Sequence, residues 1–402
     1  MNDIQLRTAR QLILDKQMLV QPISCSTIQE VVDVVKRLGG VQYDPLPVVE
    51  QAHYLTLWNR ISEFKSKLLD KALYDEKRLI EFVLMRQALH IVPVEDLPYY
   101  YQAVQTVFRQ GWIQRAIDKL STKEIQKTLK EIKNKDAISS KDVSYNRLRA
   151  LFYMGEIAIA KREKGTFRMP YYSILRTLHP DLDLQAVDEE EAQKWLVMRT
   201  ISAFGISSSR HIAYWTGYRV KETRRILSEL ENDDAILALR VEKMKDLNWM
   251  TVQDFNRFGE GIDSRGNVAL LSPMDNLIRD RKWLDKVFSY SFSMEYFQKK
   301  GMRWQMSILY NTDFLGFIDV KMDRPNQKFI IKELAVHLDV ERDIWMKVGQ
   351  RIVDLAEFHG ARTIQIRERC PRWLSTLFAE LGYEHRDKTL KISQEESASN
   401  SF

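Results

Sequence analysis

The chain has 402 residues, 45% hydrophobic and 29% charged, with a formal charge of +6. Such a balance excludes an intrinsically disordered chain, and the length sets an expectation of about two or three domains, each with its own core. No run approaches the roughly 18 apolar residues of a transmembrane helix. The opening Met1-Asn2-Asp3-Ile4-Gln5 carries neither the positive start nor the apolar stretch of a signal peptide, so a cytoplasmic protein is expected. Cys25 and Cys370 make no CxxC and no disulfide framework, and the scattered histidines lack metal-ligand spacing. No metal and no cofactor are therefore expected. A pI near 9.0 favours a polyanionic partner.

Residues 4–16 and 27–38 read as amphipathic helices, through Ile4, Leu6, Ala9, Leu12 and Ile13, then Ile28, Val31, Val32, Val35 and Leu38. Thr27 is the N-cap candidate of the second, and Glu30 completes a capping box. Gly39 and Gly40 end it. The segment Val41-Gln42-Tyr43-Asp44-Pro45 follows. Pro45 pushes Asp44 toward an extended conformation, where successive side chains alternate faces. Gln42 and Asp44 then point one way and Tyr43 the other, which places an amide beside a carboxylate. The same residues also read as a polar turn after a helix.

A third helix is expected over 64–74, then an apolar segment from Leu79 to Val94. Asp96 and Pro98 open another helix that runs toward Leu120. Two later segments share one plan. In the first, Val143 to Phe152 reads as a helix, Glu156 to Glu163 as a strand, Lys164-Gly165 as a turn and Thr166 to Met169 as the return strand. In the second, Ser208 to Trp215 is a helix, Thr216-Gly217-Tyr218 a tight turn, Val220 to Glu231 a helix and Ala235 to Glu242 a strand. Helix, glycine turn, helix and hairpin is the layout of a winged helix-turn-helix. Its second helix exposes Lys221, Glu222, Arg224 and Arg225, flanked by Arg210, His211 and Arg219. These cations suit a DNA backbone, and equally a solvated helix face.

From 286 to 338 the period changes to two, with Phe288, Tyr290, Phe292, Met294 and Tyr296 alternating with polar residues, then Trp304, Met306, Ile308 and Tyr310. Asn311-Thr312-Asp313 and Asp323-Arg324-Pro325-Asn326 are turn signals. Four consecutive strands suggest an antiparallel meander or small barrel, its aromatic residues forming core. A helix over 341–358, a strand from Thr363 to Ile366, a helix from Trp373 to Leu381 and a disordered Ser-rich tail from Ser393 complete the chain. The fold class expected is α+β and mostly helical. It comprises tandem winged helix-turn-helix units over 1–120, 121–196 and 197–264, a β-barrel over 265–340, C-terminal helices over 341–392 and a tail over 393–402.

Three separated, ordered segments resemble the YcaQ-type interstrand-crosslink DNA glycosylases, relatives of AlkZ. They are Val41 to Asp44 with Ala52 to Arg60, then Leu271 to Arg281, then Phe317 to Arg324. The resemblance implies tandem winged helices followed by a barrel. It also implies a Gln-hydrophobic-Asp catalytic motif, which falls on Gln42 and Asp44 with Tyr43 between them. One stretch departs from the YcaQ pattern: Glu81 to Pro93, with Leu84-Met85-Arg86 and Leu89-His90-Ile91-Val92-Pro93, is closer to the wider winged-helix group. The implied reaction is hydrolysis of the N-glycosidic bond of N7-alkylated purines, including crosslinked ones, in double-stranded DNA by a monomer. The competing reading is a non-catalytic winged-helix regulator, which has no need of an amide beside a carboxylate.

Further residues receive paired readings. His53 and Trp58 either face the lesion or pack in the core. Arg60 meets a phosphate or caps a helix. Arg86 joins the DNA-facing group, and His90 reads either as a satisfied buried histidine or as a site residue. Arg279 and Arg281 touch DNA or pair with Asp275 and Asp280.

Overall fold

A computed structural model describes residues 2–109, 111–163, 168–257, 266–292, 297–298, 301–383, 385–386 and 389–391. The chain forms two compact units. The first comprises Met1–Met18, Pro22–Pro45 and Arg60–Asp263, and the second Leu19–Gln21, Leu46–Asn59 and Ser264–Phe402. The six segments expected from sequence are a finer division than these two.

In the first unit, helix Leu6–Lys16 buries Ala9, Leu12, Ile13 and Leu14. Helix Ile28–Arg37 starts at the expected capping box. The Thr27 hydroxyl accepts from the Glu30 amide at 3.3 Å, and the Glu30 carboxylate accepts from the Thr27 amide at 2.8 Å. Val31, Val32, Val34 and Val35 form its buried stripe. Gly39 and Gly40 stop it at φ +69° and +95°, a left-handed conformation that a side chain resists. The chain passes directly into strand Val41–Gln42. That strand pairs antiparallel with Leu89–Pro93, which pairs antiparallel with Leu79–Val83. The apolar segment 79–94 is thus a hairpin. Its tip holds Arg86 and Gln87 at φ +56° and +57°.

Helix Leu97–Arg109 packs on helix Glu189–Phe204, with the Tyr99 and Trp195 rings stacked 5.0 Å apart. The segment expected as one helix toward Leu120 is interrupted before a second helix, Trp112–Ile117. Helix Tyr145–Tyr153 leads to strand Ile157–Arg162. The expected turn at Lys164-Gly165 lies outside the described residues. The return strand is Pro170–Ile174, later than the expected 166–169. Its buried residues are Tyr172 and Ser173.

Helices Ser209–Thr216 and Val220–Asn232 follow as expected, joined through Gly217 at φ +83°. Ser208 caps the first, accepting from the His211 amide at 3.3 Å. Strands Ile236–Val241 and Asn248–Thr251 form the hairpin behind them. The N-terminal strand Asn2–Ile4 adds in parallel to Ile236–Val241, and Ser207–Ser208 adds to the other side, giving a four-stranded sheet.

The second unit departs from the expected barrel. Its sheet has seven strands in the order Val268–Leu271, Gln305–Tyr310, Asp313–Asp323, Lys328–Val336, Thr363–Arg369, Thr389–Lys391, His385–Arg386. The first and last strands do not pair, so no closed barrel forms among the described residues. A barrel needs its final strand to return to its first with matched tilt. Here helix Arg342–Phe358 crosses over after Lys328–Val336, and Thr363–Arg369 is added parallel to that strand. Over its described residues, 288–292, the aromatic alternation is also not a strand. Helix Arg281–Phe288 runs through its start, Ser289 stops that helix in a left-handed conformation, and 293–296 lie outside the described residues. Tyr290 and Phe292 are nevertheless buried, as core. The first strand is Val268–Leu271, and its Leu270 is bound on both sides by the Asn59 amide, at 2.9 Å to its N–H and 2.8 Å to its C=O. The two expected turns carry hairpins, with Asn311 and Gln327 at positive φ. The tail from Ser393 lies outside the described residues.

Candidate active site

Gln42 stands opposite His90 across the ladder, and His90 stands opposite Phe82. Cross-strand partners share a face. Pairing continues at Tyr43, whose N–H donates to the Leu89 carbonyl at 2.9 Å. The adjacent row is Val41, Ile91 and Glu81. Tyr43, two residues from Val41, shares that second face. The expected alternation is therefore present: Gln42 on the His90 side, Tyr43 on the Glu81 side.

The second face contains an ion pair that sequence reasoning missed. The Arg162 guanidinium reaches both Glu81 oxygens, with Nε at 2.9 Å from Oε1 and Nη2 at 2.5 Å from Oε2. Its Nη1 donates to the Arg168 carbonyl at 2.9 Å. Both side chains are buried, at 6% and 1% exposure. The Tyr74 hydroxyl also donates to Glu81. The Arg162 carbon Cζ lies 4.1 Å from the Tyr43 ring centroid, within cation–π range. Burial alone would lower the affinity of Arg162 for its proton, but the Glu81 carboxylate outweighs it and the shift is upward. Burial, reinforced by Glu81, holds the Tyr74 hydroxyl well above its ordinary value. The one signal of this pair in the sequence is a lone Glu inside the apolar run Leu79-Ile80-Glu81-Phe82-Val83.

Asp44 is buried at 8% exposure and Gln42 is half-buried. The Gln42 Oε1 atom is buried and has no hydrogen-bond partner. His90 is fully buried, and its Nδ1 lies 2.9 Å from the Ala88 carbonyl. That contact assigns the proton of a neutral ring to Nδ1. Among the described residues, no cluster of three or more His, Cys, Asp or Glu side chains is arranged to hold a metal ion.

The expected DNA-facing residues of the first unit fall at separate places. Arg86, at the hairpin tip, is exposed and lies over the Tyr214 ring at 3.9 Å. Arg60 is fully buried, its Nε donating to the Gln17 carbonyl at 2.8 Å. Arg210 is exposed and paired with Asp246 at 3.3 Å. Lys221 and Arg224 are exposed on helix Val220–Asn232, whereas Arg225 is held by Glu222 at 2.8 Å and by Glu229. In the second unit, His53 is buried against the Tyr54 ring at 4.2 Å. Trp58 is also buried, with the Arg351 guanidinium 3.5 Å from its ring centroid. Arg281 is exposed, 5.3 Å from the Phe292 ring centroid. The contacts of His53 and Trp58 are the packing alternatives set against their site roles, and Arg60 binds the carbonyl of Gln17, the C-cap of helix Leu6–Lys16, as in its helix-capping alternative.

The matched segments define a DNA glycosylase class: the family model for AlkZ-like DNA glycosylases covers residues 35–358, and the chain belongs to that family. Its fold is similar to that of the Streptomyces sahachiroi DNA glycosylase AlkZ, with a TM-score of 0.64 at 14% identity. The match covers 91% of this chain and 100% of that chain.

Proposed function

We propose that the chain is a monofunctional DNA glycosylase that hydrolyses the N-glycosidic bond of N7-alkylated purines, including those in interstrand crosslinks. Alkylation at N7 makes the base cationic, so it leaves without being protonated. What remains is to stabilise a sugar of oxocarbenium character and to direct a water. Asp44 does the first through its negative charge and assists the second by accepting the water's proton. Two carboxylates are usual where the leaving group needs an acid; here one suffices. Gln42 holds the water or the deoxyribose. The observation that carries this reading is a buried carboxylate, Asp44, two residues along from Gln42, whose amide oxygen is buried and without a hydrogen-bond partner. Such an oxygen costs free energy unless something completes it, and the water that Gln42 is proposed to hold would do so.

DNA is gripped through winged helices, with Lys221 and Arg224 on helix Val220–Asn232 and Arg86 meeting phosphates from the first unit, and Arg281 a separate phosphate contact of the second. A crosslinked base is tethered to the opposite strand and cannot rotate fully into a deep pocket. Recognition against an open face fits that constraint better.

The test uses a duplex bearing N7-methylguanine and a second bearing a mustard crosslink, with abasic sites revealed by alkali. Release of base by the wild type and its loss in Asp44→Asn, with duplex binding retained, supports the proposal. Binding without release from either lesion refutes it and favours a regulator.

A further inference from the structure

We infer that Arg162 and Glu81 are positioning residues for the reaction, holding Tyr43 by its ring so that Gln42 and Asp44 keep one orientation on the opposite face. This rests on the proposal that Gln42 and Asp44 act on the substrate. The strand that carries the motif, Val41–Gln42, is only two residues long. It follows two glycines in left-handed conformations, and Pro45 just beyond supplies no N–H for a further ladder bond. Backbone pairing alone gives so short a segment little resistance to twisting. Through its ring, Tyr43 gives the rest of the unit a further hold on it.

The grip is built from three elements. Glu81 comes from the hairpin strand Leu79–Val83, Arg162 from strand Ile157–Arg162 and Tyr74 from the turn Lys71–Asp75. Glu81 lies on the same face of the sheet as Tyr43 through the row Val41, Ile91, Glu81. Glu81 fixes the guanidinium plane by two hydrogen bonds, and the Arg168 carbonyl takes a third N–H. A guanidinium held at those points has one orientation, and the Tyr43 ring lies against it at 4.1 Å. Rotation of Tyr43 about the strand axis would break that stack. Because neighbours in an extended segment are linked through the same two dihedrals, the same rotation would swing Gln42 and Asp44.

A buried ion pair is weak support for stability, since apolar groups of similar size often serve as well. That fact separates the positioning role from a structural one. The double variant Glu81→Leu/Arg162→Met removes both charges without stranding either. In single-turnover base release from an N7-methylguanine duplex it is expected to lose about tenfold in rate, with duplex affinity within about twofold of wild type. Tyr43→Leu removes the ring. If Arg162 acts through Tyr43, adding the double variant to Tyr43→Leu costs no further rate, because the two changes interrupt one chain. Arg162→Lys keeps Glu81 paired but loses the flat stack, and is expected to lose about threefold or more in rate at unchanged affinity. The inference is overturned if the double variant or Arg162→Lys keeps wild-type rate, or if the Tyr43 and Arg162 losses multiply. An inactive wild type overturns the glycosylase proposal itself, and this inference with it.

Discussion

Asp44→Asn removes the charge of the proposed catalytic carboxylate and keeps its shape. Asp44 is 8% exposed, so the charge acts through a medium far less screening than water. At about 4 Å and an effective dielectric of about 20, a unit charge and a developing sugar cation attract by about 4 kcal/mol. Only part of that charge is present in the transition state, and the amide dipole recovers a little, leaving about 3–4 kcal/mol. At about 1.4 kcal/mol per tenfold, the rate of base release should fall by about 10²–10³. The assay is single-turnover cleavage of a labelled N7-methylguanine duplex, with anisotropy on the same duplex to read affinity. Affinity should change by less than about threefold, because the residues proposed to meet the backbone are cations such as Lys221 and Arg224, and not Asp44. A rate within about fivefold of wild type at matched affinity refutes the argument: the carboxylate would then not face the developing charge.

Three further outcomes are expected. Replacing Lys221 and Arg224 together by Ala should reduce the slope of log K against log salt by about 1–2, measured by titration between low and moderate salt; an unchanged slope removes this helix from the DNA surface. Gly40→Ala should lower stability by about 1–3 kcal/mol and the melting temperature with it, because the residue sits at φ +95° and an added Cβ would meet Val92 Cγ1 at 3.0 Å and the Ile91 carbonyl at 3.3 Å; an unchanged melting temperature would show the turn to be adaptable. His359 in the second unit is driven by burial, with Arg324 adding to it, from 6.5 down to about 3, although Glu50 lies 3.7 Å from its Nδ1. Below pH 6.5 the unfolded chain takes up a proton that the folded chain refuses, so stability is fully present above 6.5 and is lost as pH falls toward 3. The loss is about 1.4 kcal/mol per pH unit, roughly 2 kcal/mol at pH 5, and melting at pH 7 and 5 should show His359→Gln less acid-sensitive than wild type by about that amount.

The elements best read from sequence were those whose signals are local. Thr27 and Glu30 announce the start of helix Ile28–Arg37, and Gly39-Gly40 announces its end. Gly217 separates the helices Ser209–Thr216 and Val220–Asn232. The alternation of Gln42 and Tyr43 followed from Pro45 and the extended chain. The features missed depend on distant partners. Asn2–Ile4 has too few residues to signal a strand, and becomes one only against Ile236–Val241. Phe288, Tyr290 and Phe292 show a two-residue period as buried side chains, but Phe288 also falls on the helical spacing of Trp283, Leu284 and Val287, which prevails there. Barrel closure depends on which strand meets which, and a crossover helix decided it otherwise. Glu81 and Arg162 lie 81 residues apart, and neither alone says that the other, or Tyr43, is its neighbour.

The parallel pairing of Asn2–Ile4 with Ile236–Val241 bears on the order in which the protein can assemble. The strand Asn2–Ile4 finds its neighbour only after the long intervening chain up to Ile236 has been made. Closing so long a loop is entropically slow, though the cost grows only gently with length. The second unit has the same property, since Leu46–Asn59 must wait for Val268–Leu271 before Asn59 can bind Leu270. The Gln42–Asp44 segment leads directly into that waiting stretch. During synthesis the hairpin Leu79–Pro93 is available to pair with Val41–Gln42 early, whereas Arg162 arrives later. The Gln42–Asp44 segment would thus be paired first and tightened afterwards, as the chain is made.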